Sequence, residues 1–108
     1  FDGLPVVEGV RLAARRLHGE REARRLADEA LGRLGISHLA DRPAGLLAHG
    51  QRQLAELATV VAPGPDLVIL DEPTAGMGAE ETARTAGLIR ELNRDHAVVV
   101  VEHDMQFI

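Results

Sequence analysis

Two adjacent carboxylates stand at the end of an apolar run, where Asp71 and Glu72 follow "LVIL". An aspartate at the carboxyl end of a buried strand can hold Mg²⁺ through water, and a neighbouring glutamate can orient a water that attacks a phosphoryl group. Taken alone, so short a pair is more often a solvated strand end or a helix cap. The functional interpretation, hydrolysis of a nucleoside triphosphate, therefore depends on what surrounds the pair.

The elements around the pair are predicted to form one strand–helix–strand unit. The runs "LVIL" at 67–70 and "VVVV" at 98–101 are unbroken and β-rich, which is typical of strands covered on both faces. Between them, residues 79–95 have the pattern of a crossover helix. The sequence therefore predicts two parallel strands joined by a right-handed connection.

Parallel strands place the residues that follow them at one edge of the sheet. Asp71 and Glu72 should emerge there together with Glu102 and His103, and this edge is where open α/β sheets bind ligands. His103 could donate to the negative charge that develops during phosphoryl transfer. A lone histidine after a strand is usually a surface residue, so its role also depends on context.

The first half of the chain is predicted to be helical. Apolar residues recur at three- and four-residue spacing over 6–17, 23–34 and 54–61. Gly19 marks the joint between the first two helices, and Gly35 should end the second because glycine readily takes the left-handed conformation that closes a helix. A third helix should begin near Gly50 and end before Pro63.

Composition excludes several classes of protein. The chain has 108 residues, a formal net charge of -5 and only 2% aromatic residues, which argues against a direct nucleic-acid partner. Cysteine is absent, so disulfides and thiolate metal sites are excluded. No apolar run approaches the ~20 residues of a membrane-spanning helix.

Three segments, taken in order, resemble a known family. "LAHGQRQLAEL", "LVILDEPTAGM" and "VVVVEHDM" are similar to the signature motif, the Walker B segment with its D-loop, and the switch histidine of ATP-binding-cassette (ABC) ATPases. The likeness is strong over 44–108, whereas 1–43 resemble the family's more variable helical subdomain. It implies an α/β P-loop NTPase fragment, with a helical subdomain over 1–62 and part of the parallel-sheet nucleotide-binding core over 63–108.

The resemblance also implies roles for the polar residues at the sheet edge. Asp71 corresponds to the Walker B aspartate that coordinates Mg²⁺, Glu72 to the catalytic glutamate, and His103 to the residue that contacts the γ-phosphate of ATP. Where many family members have an aspartate at the end of the D-loop, this chain departs from the pattern and has Gly78.

The signature residues complete the implied ATP contacts from a second subunit. They are Ala48, His49, Gly50 and Gln51, at the amino end of the third helix, where backbone N–H groups and the helix dipole suit an anion. In the family this helix end faces ATP held by a partner, so a head-to-tail dimer is implied. Ala48 replaces the family's common serine and removes a hydroxyl donor.

Within the family, the motifs most resemble importer subunits of the urea and branched-chain amino-acid uptake branch. This likeness implies an ATPase that is cytoplasmic, peripheral on the inner face of the cell membrane and bound to membrane permease subunits. Two alternatives stay open: a soluble cassette ATPase acting on DNA or ribosomes, and a degenerate, non-catalytic cassette fragment that only binds a partner.

A lysine-containing phosphate loop is missing from these residues. A nucleotide site of this class needs G-x-x-x-x-G-K-[ST], and all 12 basic residues of the chain are arginine. We therefore expect a fragment that begins just after the family's glutamine loop. We also expect that the 108-residue chain alone hydrolyses no ATP above background.

Overall fold

The computed structural model describes residues 3–102 and divides into two compact units that meet at Gly64 and Pro65. The first unit contains three α-helices together with two 3₁₀ turns; the second contains two strands and one helix. In chain order the elements are α1 (Val6–Arg15), α2 (Glu20–Arg33), the 3₁₀ turns Ser37–Leu39 and Ala44–Leu46, α3 (His49–Val61), β1 (Leu67–Asp71), α4 (Ala79–Leu92) and β2 (Ala97–Val101).

The core of the first unit is formed by the apolar faces that the helical spacing predicts. α1 packs against both α2 and α3. α2 contributes small side chains, and Ala23 and Ala27 are fully buried, so neighbouring backbone can approach closely. Leu17 is a correction: we expected it on the buried face, but it lies beyond the end of α1 and is 73% exposed.

The end of α2 confirms the role predicted for Gly35. Its φ of 71° is left-handed, and its N–H donates to the carbonyl of Gly32 at 3.1 Å. The N–H of Ile36 donates to the carbonyl of Leu31 at 2.9 Å. These two bonds form a Schellman motif, which satisfies carbonyls that the helix itself leaves unpaired.

The second unit has the predicted parallel strand–helix–strand topology. β1 and β2 pair in parallel from Leu67 opposite Ala97 to Asp71 opposite Val101, and α4 connects them. The side chains of Val68 and Leu70 are buried, as are Ile89 and Leu92 on α4. Both strands therefore end at the same edge, which confirms that Asp71, Glu72 and Glu102 emerge together.

The expectation that both faces of the sheet are covered is wrong for the part of the chain described here. Val68 is 1% exposed, whereas Ile69 is 63% and Val99 48% exposed. Successive side chains of a strand point to opposite faces, so one face of this sheet is buried and the other is open. An unbroken apolar run predicts the strand, but it does not determine which face is covered.

None of the helices within residues 3–102 is both long and apolar enough to cross a membrane.

Candidate functional site

The carboxylate pair lies at the tip of β1, as its position after the apolar run predicts. Asp71 is the last residue of β1, opposite Val101, and its side chain is exposed. Glu72 is partly buried, and its backbone N–H donates to the carbonyl of Val101 at 2.7 Å. The strand pairing therefore continues one residue past β1 and ties Glu72 to the end of β2.

Glu72 has an unusual backbone conformation. Its φ is 47°, and among residues 3–102 it is the one non-glycine residue with a positive φ. The left-handed conformation costs an ordinary residue about 1–2 kcal/mol, and such strain clusters at functional sites. β1 ends at Asp71, and the left-handed backbone of Glu72 turns the chain out of the strand.

Two overlapping turns follow and carry the chain from Glu72 to α4. The N–H of Ala75 donates to the carbonyl of Glu72, and the N–H of Met77 donates to the carbonyl of Thr74, both at 3.1 Å. Gly76, inside the second turn, has a φ of 79°, a value that glycine tolerates without strain. The segment Glu72–Gly78, which we call the post-strand segment, is thus defined by local hydrogen bonds.

A side-chain hydrogen bond that the sequence analysis did not predict joins this segment to the end of β2. The hydroxyl of Thr74 donates to Oε2 of Glu102 at 3.0 Å, and Thr74 is only 7% exposed. The sequence indicated that Glu102 emerges at this edge but assigned it no partner. The available signal was a hydroxyl residue two positions after Glu72 and a carboxylate at the end of the paired strand.

The predicted signature residues lie in the first unit, at the amino end of α3. Ala48 is the residue before the helix, with an extended backbone, and its N–H donates to Oε1 of Gln51 at 3.0 Å. Ala48 has no oxygen with which to cap a first-turn amide, so only half of a capping box is present. The backbone N–H groups in the first turn of an α-helix have no acceptor within the helix, so they can bind an anion.

Asp71 and Glu72 could bind a Mg²⁺ ion whose other ligands come from a nucleotide and water, rather than from further protein side chains. Within residues 3–102, no group of three or more His, Asp and Glu side chains is arranged to hold a metal ion. Mg²⁺ in phosphoryl-transfer sites is commonly bound by one or two carboxylates, with substrate phosphates and water as further ligands. The donor set of Asp71 and Glu72 fits that pattern.

His103, the third residue predicted for this edge, lies outside the described residues. Asp71 and Glu72 are brought together at the tip of β1, whereas Ala48, His49, Gly50 and Gln51 share the start of α3 in the other unit. Their assignment to ATP and Mg²⁺ stays a prediction.

A separate cavity of about 370 Å³ lies in the first unit, beside α1 and α3. Its walls are largely apolar, with Arg16, Arg52 and Glu56 among the lining residues. Among the described residues, none of those predicted to contact ATP or Mg²⁺ lines this cavity.

Comparison with known proteins gives a consistent family match. A sequence model described as ABC transporter matches residues 5–75. BraF of Pseudomonas aeruginosa, a high-affinity branched-chain amino acid transport ATP-binding protein, is 38% identical over 91 residues, which are 82% of this chain and 36% of BraF. An ABC transporter ATP-binding protein of Methanopyrus kandleri is 51% identical over 74 residues, covering 68% of this chain and 28% of the relative. The chain thus spans only about a third of the length of these curated relatives.

Solved structures agree with this match. cbiO1 from Clostridium perfringens, part of the ABC transporter complex cbiONQ, superposes with a TM-score of 0.87 at 31% identity, over 98% of this chain and 43% of cbiO1. The dimeric structure of a bacterial ABC transporter cassette superposes with a TM-score of 0.83 at 26% identity, over 99% of this chain and 49% of that cassette. The predicted P-loop cassette fold is therefore confirmed.

Proposed function

Because the chain belongs to the ABC transporter family, we propose that it supplies catalytic and signature residues of an ATPase that powers an importer. The observation that carries the proposal is the β1 tip, where Asp71 and Glu72 are held at the carboxyl edge of a parallel sheet by the hydrogen bond from Glu72 to Val101. This edge is where an α/β sheet presents ligand-binding groups.

In the proposed mechanism each carboxylate has a separate task. Asp71, exposed at the strand end, holds the Mg²⁺ that arrives with ATP. Mg²⁺ neutralises charge on the phosphates when bound. Glu72 accepts a hydrogen bond from the attacking water and orients it in line with the γ-phosphate. His103 contacts the γ-phosphate and donates to its developing charge.

The signature residues are proposed to act on ATP held by a second subunit. Ala48, His49, Gly50 and Gln51 would present the amino end of α3 to the γ-phosphate, with backbone groups as the donors because Ala48 has no hydroxyl. A head-to-tail dimer would then complete two sites. The dimeric arrangement of a similar bacterial cassette supports this proposal.

The partner and the solute class are proposed from relatives. BraF carries a name for branched-chain amino acid transport, and cbiO1 is described as part of an ABC transporter complex. We infer that the ATPase docks on membrane permease subunits at the cytoplasmic face of the membrane. We also infer that it drives uptake of a small polar solute of the branched-chain amino acid or urea type.

The phosphate-binding lysine is not among these 108 residues, since every basic residue here is arginine. We propose that the 108-residue chain alone does not turn over ATP, because Asp71 by itself provides too few ligands for Mg²⁺ and phosphate. Activity is therefore to be measured on the full-length gene product.

The proposal is tested by Mg²⁺-dependent ATP hydrolysis by the full-length gene product and its Asp71→Asn variant. We expect Asp71→Asn to lower turnover by at least about 100-fold and to raise the Mg²⁺ concentration required, since a charged metal ligand is lost. Glu81→Gln, which changes an exposed carboxylate in the first turn of α4, is the matched control. Unchanged Mg²⁺ dependence in Asp71→Asn would refute the role of Asp71.

A further inference from the structure

We propose that Glu102 is a positioning residue that holds the post-strand segment through Thr74 and thereby sets where Glu72 points. The inference rests on the proposed ATPase function, but its structural basis is independent of it. The central observation is the 3.0 Å hydrogen bond from the Thr74 hydroxyl to Oε2 of Glu102. It joins two residues that are far apart in sequence and follow different strands.

Thr74 is well placed to transmit such a constraint. Its carbonyl accepts the hydrogen bond from Met77, and it lies inside the turn closed by Glu72 and Ala75. One residue therefore belongs to both turns of the post-strand segment. Because Thr74 is 7% exposed, water has little access to its hydroxyl, and Glu102 provides the acceptor that a buried donor requires.

The far end of the segment is also anchored. The hydroxyl of Thr85, a buried residue of α4, lies 3.5 Å from the sulfur of Met77. At the near end, the Glu72 N–H donates to the carbonyl of Val101. Glu102 provides the connection between these two anchors, at the middle of the segment.

The consequence for catalysis follows from the strain at Glu72. A left-handed glutamate persists only when its surroundings determine its conformation. The N–H of Glu72 donates to the carbonyl of Val101. The carbonyl of Glu72 accepts the hydrogen bond from Ala75 that closes the turn containing Thr74. Release of Thr74 by loss of the Glu102 carboxylate frees that turn, so the Glu72 carboxylate samples orientations that do not align water with the phosphate.

Glu102 also immediately precedes His103 in the chain. Its bond to Thr74 thus ties the segment after the proposed catalytic glutamate to the segment that carries the proposed γ-phosphate contact.

The kinetic test uses the full-length gene product with Thr74→Val, Thr74→Ser, Glu102→Ala and the double variant Thr74→Val/Glu102→Ala. Thr74→Val keeps the shape of the side chain and removes only the donor. We expect kcat to fall by about 10- to 100-fold in Thr74→Val and in Glu102→Ala, with the KM for ATP within about twofold of wild type. Thr74→Ser, which keeps the hydroxyl, should retain most of the turnover. The double variant should lose no more than either single variant.

Two control variants keep effects on general stability apart from positioning. Thr82→Val changes a threonine of α4, and Glu91→Gln changes an exposed carboxylate near the end of the same helix; both should leave kcat unchanged. Additive losses in the double variant, or a wild-type kcat in Thr74→Val, would overturn the proposal.

A second measurement does not depend on ATP. Hydrogen exchange at the Met77 amide, which donates to Thr74, should be about tenfold faster in Thr74→Val and Glu102→Ala than in wild type. If the wild-type protein had no Mg²⁺-dependent turnover, the proposed function would fail, and exchange alone would decide the positioning role. Unchanged exchange at Met77 would refute that role whatever the turnover.

Discussion

The backbone N–H of Glu72 donates to the carbonyl of Val101 across 2.7 Å, one residue beyond the last pair of the parallel ladder. This bond holds Glu72 at the sheet edge while its φ of 47° turns the chain out of the strand. The proposed catalytic glutamate is therefore placed by main-chain pairing with β2, a strand that lies beyond α4 in the chain.

The left-handed backbone of Glu72 is expected to lower the free energy of unfolding, because a residue with a Cβ atom is strained at this φ. Glu72→Gly and Glu72→Ala both remove the carboxylate and differ only in the Cβ atom. We expect the glycine variant to have the higher free energy of unfolding, by about 1 kcal/mol, because glycine takes a positive φ without strain. Urea denaturation of both variants measures the difference. Equal stabilities would show that the left-handed conformation carries no cost here.

The half-formed capping box at α3 predicts a stabilising substitution. In Ala48→Ser the new hydroxyl can accept from a first-turn amide while Gln51 keeps its bond to the residue 48 N–H. We expect a gain of about 0.5–1 kcal/mol in the free energy of unfolding. Ala83→Ser, at an exposed position within α4, is the control and should be slightly destabilising. A loss of stability in Ala48→Ser would contradict the capping geometry.

An exposed ion-pair cluster predicts a pH dependence in the first unit. A hydrogen bond from Arg24, and to a lesser extent one from Arg15, lowers the pKa of the Glu20 carboxyl below its usual range. A carboxyl whose pKa is lower in the folded state contributes stability above its unfolded pKa, and this contribution is lost as the pH falls through the folded pKa.

The stability difference between wild type and Glu20→Gln should accordingly be present at pH 7 and shrink in acid. Thermal unfolding from pH 7 down to pH 2 measures it. Since Glu20 is exposed, 1 M salt should weaken the difference at pH 7. A stability difference between wild type and Glu20→Gln that grows as the pH falls would contradict the lowered pKa of Glu20.

Because one face of the sheet is buried and the other is open, the same Val→Thr substitution should reduce the free energy of unfolding by different amounts on the two faces. Val68→Thr places a hydroxyl at a position that is 1% exposed, whereas Val99→Thr places it at one that is 48% exposed. In the 108-residue chain we expect Val68→Thr to cost about 1–3 kcal/mol and Val99→Thr less than about 0.5 kcal/mol. Equal costs in equilibrium denaturation would mean that both faces are covered in solution.

Much of the fold could be predicted because local signals agree with the tertiary structure. Helical spacing, the closing glycine at Gly35 and two apolar runs around a helix were sufficient for the three-helix unit and the parallel strand pair. The position of the carboxylate pair followed from the end of the run "LVIL".

Other features could not be predicted because they depend on partners that are distant in sequence. An apolar residue such as Ile69 has the same strand propensity whether its face is covered or open. The left-handed φ of Glu72 has no local signal, since glutamate is not a residue that favours it. The bond between Thr74 and Glu102 required the parallel register before the two side chains could be placed together.

The most direct test of the central claim is the rate of ATP hydrolysis by the full-length gene product carrying Glu72→Gln. The amide keeps the size of the side chain but is a poor acceptor for the proton of the attacking water. We expect turnover to fall by at least about 100-fold with ATP binding retained, whereas Glu80→Gln, a change to an exposed carboxylate on α4, should leave turnover unchanged. Turnover of Glu72→Gln within about twofold of wild type would contradict the proposal that Glu72 orients the attacking water.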